Sequence, residues 1–179
     1  GALSRAEGEN VGTYAINKNT LVLVDNSPFL ANNYALSYVG ANLTITAKNA
    51  STFTATLNPT SYTYDGTEKK PSVTVKDGEN LLAVGTDYSF VYSDNINAGT
   101  GKVTITGKGN YTGTKVVNFT INKRTLTVKA DAKSKTYGAG DPGLTYTYSN
   151  QVSGQTPKFS GALSRDAGEN VGTYAIKQN

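Results

Sequence analysis

Residues 88–121 read YSFVYSDNINAGTGKVTITGKGNYTGTKVVNFTI, and the alternation inside this stretch decides the fold class. Tyr88, Phe90 and Tyr92 alternate with Ser89, Val91 and Ser93. Val103 and Ile105 alternate with Thr104 and Thr106, and Val117, Phe119 and Ile121 with Asn118 and Thr120. A period of two sends successive side chains to opposite faces, so each run predicts a strand with one buried face. Gly99, Gly101, Gly107, Gly109 and Gly113 punctuate the runs and predict turns. Just upstream, Ser72–Val75 and Leu81–Val84 flank Lys76-Asp77-Gly78-Glu79, and Asp-Gly between apolar runs predicts a hairpin. No segment predicts a helix. The expected fold class is all-β, in tandem small β-sandwich modules of Ig-like style. A β-grasp-like module, which requires a helix, is the alternative.

Further out, the chain repeats itself. Residues 1–16 read GALSRAEGENVGTYAI and residues 161–176 read GALSRDAGENVGTYAI, differing only at Ala6/Asp166 and Glu7/Ala167. A match this long at a fixed offset of 160 residues predicts one period, and a little more, of a tandem array. Arrays of near-identical units serve reach or many weak contacts more often than a single active site. The expectation is a fragment of a longer protein.

Composition narrows the chemistry. The chain has no Cys and no His, which excludes disulfides, thiolate sites, His-dependent nucleophile systems and zinc sites of the usual kind. The net charge of +4 comes from Lys and Arg spread along the chain, not clustered with stacking aromatics, so no nucleic-acid partner is expected. No run is long and apolar enough for membrane insertion through a helix.

Three segments follow from the closing strands. Residues 1–49 end on LTITAKN, residues 50–123 end on FTINK, and residues 124–179 open on RTLTVKADAKSKTYG. The middle segment reads as a complete module. The outer two read as the back and front of a second module type, with GALSR shared between them. The back carries Val11–Ile16, Leu21–Val24, Asn33-Tyr34 and LTIT; the front carries Leu126, Val128, Lys135–Gly138, Leu144, Tyr146 and Tyr148.

These residues carry a resemblance. TYGAGDPGLTYTYS, SGALSRDAGENVGTYAI and NYALSYVGANLTITAK resemble the MBG-type (YGX-type) repeat. YTYDGTEKKPSVTVKDG, GTDYSFVYSDNINAGT and GKGNYTGTKVVNFTI resemble the YDG-type repeat. The resemblance implies a tandem repeat region of a bacterial secreted or cell-surface protein, an adhesin stalk or spacer, extracellular in location and without catalysis or cofactors. The alternative is that the repeats are themselves low-affinity adhesive modules for host glycan or protein.

Candidate sites are few. Asp65 and Glu68, Asp77 and Glu79, and Asp87 and Asp94 offer carboxylate pairs, but turn chemistry accounts for them. Asp25-Asn26-Ser27 and Ser93-Asp94-Asn95 lack the spaced acidic pattern of a calcium loop. Gly107-Lys108-Gly109-Asn110 lacks the strand–loop–helix setting of a phosphate cradle. Most tyrosines alternate with Thr or Ser along the predicted strands, which favours core or half-buried positions. They are also the one plausible recognition surface, and Tyr64, Tyr111, Tyr137, Tyr146 and Tyr148 are the candidates for partner binding. The expected partners are neighbouring repeats of the same chain. If the outer segments are halves of one module, each exposes an apolar face and strand edges. Head-to-tail association of two chains is then expected, with residues 1–16 and 161–176 competing for one slot; the alternative is closure within one chain around the middle module.

Overall fold

A computed structural model describes residues 1–178. The chain is all-β, in several small sheets, and the described residues contain no helix longer than the three-residue 3₁₀ turns Ala31–Asn33 and Ala50–Thr52. Backbone contacts divide it into two compact units. One comprises Gly1–Thr60, Lys70–Ser93 and Gly101–Phe119; the other comprises Ser61–Lys69, Asp94–Thr100 and the residues from Thr120 onward.

The first unit holds most of the core. Phe53, Val75, Val103, Ile105 and Phe119 are each at most 2% exposed. Val103, Ile105 and Phe119 come from the runs whose period of two marked one face for burial, and Val75 from the strand that leads into the Asp-Gly hairpin. Tyr88–Ser93 pairs antiparallel with Gly99–Gly107, from Lys102↔Ser93 to Gly107↔Tyr88, and Thr114–Asn122 is the next strand of that sheet. Thr54–Asn58, Ser72–Asp77 and Asn80–Leu81 form an antiparallel three-stranded sheet. The Asp-Gly hairpin forms, but Lys76 and Asp77 stay in the strand, so the loop is only Gly78-Glu79. Lys48–Asn49 runs parallel to Tyr111–Thr112, and Tyr111 meets Phe53 edge-on at 5.0 Å. A further antiparallel sheet joins Ser4–Arg5, Gly12–Asn17 and Ala41–Ile45 in that order.

In the second unit, Thr120, Ile121 and Asn122 pair parallel with Ser61–Thr63. Thr127–Ala130 pairs antiparallel with Tyr146–Ser149, and Leu163–Arg165 with Ile176–Gln178. Ile121 is 2% exposed. Lys69 is buried as well, and its ammonium is fully engaged: it donates to the Asp65 carboxylate, to Thr67 Oγ1 at 2.8 Å and to the Thr67 carbonyl at 3.0 Å. That ammonium, ahead of Thr67, holds the Asp65 carboxyl well below the usual carboxylate range.

One sequence expectation changes. Gly101 is no turn: it lies inside Gly99–Gly107, and a Cβ there would sit 2.3 Å from Phe119 Cζ. Its missing side chain makes room for the ring, so the glycine is there for packing. Leu21–Val24 forms no strand, and Val22 and Val24 are more than half exposed. Among the described residues, every buried one lies between Ala50 and Ile121.

Burial of this kind sets the expected stability pattern. Phe53→Ala should cost about 3–5 kcal/mol through lost burial and a cavity. Gly101→Ala should cost about 1–3 kcal/mol through overpacking against Phe119. Val39→Ala, at an 89% exposed side chain, should stay within about 0.5 kcal/mol. Urea denaturation of the three variants checks the order.

Candidate functional site

The repeated 16-residue segment folds twice into the same hook. In the first hook, Arg5 donates to the Gly8 carbonyl at 2.6 Å and pairs with Glu9 four residues on. Its guanidinium lies over the Tyr14 ring, 5.6 Å from the centroid, and Tyr14 Oη donates to the Asn10 carbonyl at 2.7 Å. The second hook repeats each contact: Arg165 to the Gly168 carbonyl at 2.6 Å, Arg165 over Tyr174 at 5.3 Å, and Tyr174 Oη to Asn170 at 2.8 Å. The strand registers Arg5↔Ile16 and Arg165↔Ile176 agree as well. Glycine is required at the bend. Gly8 and Gly168 have φ of +134° and +142°, and a Cβ on either would lie 2.2 Å from the tyrosine ring.

What surrounds each hook differs. Gly12–Ile16 of the first pairs with Ala41–Ile45, from Gly12↔Ile45 to Ile16↔Ala41, and Tyr38 Oη donates to the Ile16 carbonyl at 2.6 Å. Asn110 clasps the bend: its Oδ1 accepts from the Val11 amide and its Nδ2 donates to Asn10 Oδ1, both at 2.8 Å. In the second hook, Thr173, Tyr174 and Ala175 belong to no strand, and Val171 is 93% exposed against 41% for Val11. Asp166 and Lys177 form an ion pair at 2.6 Å that Ala6 and Asn17 do not provide.

The second hook instead closes a square of charges. Lys135 bridges Asp141 and Glu169 at 2.7 Å each. Arg165 grips both oxygens of Asp141, at 2.9 and 3.1 Å, and Glu169 at 2.5 Å. Hydrogen bonds from Arg165 and then Lys135 hold the Asp141 carboxyl down at about 2, and Lys135 and then Arg165 lower that of Glu169. The same bonds raise Lys135 and Arg165. Two cations and two anions satisfy one another, which leaves no activated base or nucleophile at this point. Beside the square opens a cleft of about 620 Å³, with Tyr137, Leu144, Leu163, Val171, Tyr174 and Ile176 among its lining residues. Among the described residues no group of three or more acidic side chains is placed to hold a metal.

The five candidate tyrosines are not one surface. Tyr146 and Tyr148 flank Phe159, at 5.3 and 5.5 Å between ring centroids. Tyr137 is 70% exposed at the cleft. Tyr64 is half-buried, and its hydroxyl accepts from Gln155 Nε2 at 2.7 Å beside a shallow hollow of about 260 Å³. Tyr111 is half-buried in the first unit on Phe53; burial, then the Asp77 charge, raises its phenol. Sequence reasoning missed Lys135, Asp141, Arg165 and Glu169. Its usable signal was the Arg, Gly, Glu and Tyr kept at the same spacing in both copies, at 5, 8, 9 and 14 and at 165, 168, 169 and 174.

Residues 126–179 match the family model of the MBG domain (YGX type). The match contains the second hook, its charge square and the cleft. The MBG domain is a non-catalytic repeat domain typical of bacterial surface proteins. No curated protein and no solved structure matches the chain. No helix among the described residues is long and apolar enough to cross a membrane.

The charge square predicts a pH response. The Asp141 carboxyl is lowered from 3.8 to about 2, so its contribution to folding is fully present above pH 4 and is lost as the pH falls through about 2. A carboxyl-carbon NMR titration should place the Asp141 midpoint near 2. Arg165→Met should move that midpoint back toward 3.8.

Proposed function

We propose that this chain is a repeat region of a bacterial secreted or cell-surface protein and acts as a stalk or spacer of an adhesin. The observation that carries the reading is the hook: one 16-residue segment takes the same internal geometry twice, 160 residues apart. Together with the MBG match at residues 126–179, this supports a tandem array. On this reading residues 50–123 are one complete module of small sandwich type. Residues 1–49 and 124–179 are the closing and opening parts of the other module type. The mechanism is mechanical: the middle module buries a small core, the outer segments hold their shape through the hooks, and short joints limit bending.

A second reading, that the modules themselves bind host glycan or protein weakly and repeatedly, draws on the exposed rings of Tyr137, Tyr146 and Tyr148. Tandem chains of one, two and four periods separate the two. A spacer gives a maximum dimension, by small-angle X-ray scattering, that rises in proportion to the number of periods. Saturable binding to glycan or extracellular-matrix surfaces, strengthened by period number and lost in Y137A/Y146A/Y148A, would favour adhesion. A dimension growing only as the cube root of mass would contradict the spacer.

A further inference from the structure

The slot on Ala41–Ile45 and Asn110 recognises residues that occur twice in the chain. Residues 8–16 and 168–176 are both GENVGTYAI, and every residue that touches the slot in the first hook has an identical counterpart in the second. Asn10 and Val11, held by Asn110, correspond to Asn170 and Val171; Gly12–Ile16 corresponds to Gly172–Ile176. The second hook already has the internal geometry that the slot accepts, because Arg165, Glu169 and Tyr174 make the contacts of Arg5, Glu9 and Tyr14. Lys135 and Asp141 brace it further, so little ordering remains to be done on docking. Among the described residues, no strand pairs with the edge of the second hook that corresponds to the one the first hook turns to Ala41–Ile45.

We propose that the second hook of one copy occupies this slot on a second copy, displacing that copy's first hook, so that chains join by exchanging identical segments. The inference stands apart from the spacer reading. In the exchanged arrangement Thr173 faces Thr44 of the second copy, Tyr174 faces its Leu43 and Ile176 its Ala41, as Thr13, Tyr14 and Ile16 do within one chain. The Val171 amide and Asn170 side chain meet its Asn110. Because the slot contacts are the same in both arrangements, exchange is close to neutral there. The first hook keeps the advantage of being tethered. Weakening the first hook therefore promotes exchange, and weakening the second opposes it. A joint of this kind leaves the second copy with its displaced first hook and its own second hook free, while the first copy's slot still holds its own first hook. Further exchange therefore propagates the chain or closes it into a ring.

The chain has no cysteine, which makes cross-linking direct. The Ala15 carbonyl accepts from the Ala6 amide, so Thr13 and Ala15 turn their backbone groups away from Ala41–Ile45. Thr13↔Thr44 is thus a non-hydrogen-bonded pair with Cα atoms about 4.5 Å apart, within disulfide range. Full-length T44C and T173C chains, mixed and oxidised, should give the mixed disulfide well above the homodimers. Adding N10A to the T44C chain, which removes one clasp hydrogen bond from the competing hook, should raise the yield about fivefold. Adding N170A to the T173C chain should lower it by a similar factor. T13C/T44C in one chain is the control that closes internally. A mixed disulfide no more abundant than the homodimers, or N10A and N170A acting alike, overturns the proposal. So does a T44C/T173C double variant that closes only within single chains. Sedimentation velocity on cysteine-free N10A gives a second readout: concentration-dependent association that N10A/N170A abolishes is expected, and a monomer at all concentrations contradicts it.

Discussion

Exclusion of water from the space around Phe53, Val75, Val103, Ile105 and Phe119 is the constraint on which the rest of the structure depends. The chain has neither cysteine to staple its sheets nor a metal-ligating cluster among the described residues, so burial must supply the driving force. That burial is concentrated between Ala50 and Ile121. Strands outside this span are short and hold together through backbone pairing and local side-chain geometry. A sheet of two or three short strands without a buried face is marginal alone, so its local contacts need to be specific.

The hook supplies that specificity. One arginine satisfies backbone carbonyls at a glycine bend, an acidic side chain four residues on and the face of a tyrosine, whose hydroxyl in turn ties the next backbone carbonyl. Each contact is weak when exposed, and the set closes on itself, which fixes the shape of the segment without a core. The same solution appears with two different surroundings: a strand and an asparagine clasp in one case, a charge square in the other. A segment that keeps its shape when its partners change suits a repeat that meets a similar neighbour at each period.

Much of the fold was legible because a period of two carries its own physical meaning. Tyr88, Val103, Ile105, Phe119 and Ile121 are buried as the alternation predicts, while Val91, on the opposite face from Tyr88 and Tyr92, is 64% exposed. Gly101 was misread because a glycine in a strand gives the same local signal whether it marks a turn or makes room for a ring 18 residues away. The tyrosines show a similar limit. Alternation separates the faces of a strand, but it does not say whether Phe159 lies between Tyr146 and Tyr148 or whether anything covers Tyr137. The charge square was the least legible part. Arg165 and Glu169 are four residues apart and Lys135 and Asp141 six, but the bonds that join the two pairs span 24 and 34 residues, and no local pattern links them.

The central claim is that stability resides in the segment from Ala50 to Ile121 while the hooks on either side open locally. Native-state hydrogen exchange on the full chain tests this most directly. The account predicts that the Val103, Ile105 and Phe119 amides exchange only through global unfolding. The Ala6 and Asp166 amides, which close the two hooks on Ala15 and Ala175, should exchange through smaller openings that denaturant barely accelerates. Hook amides as protected and as denaturant-sensitive as those of the core would contradict it.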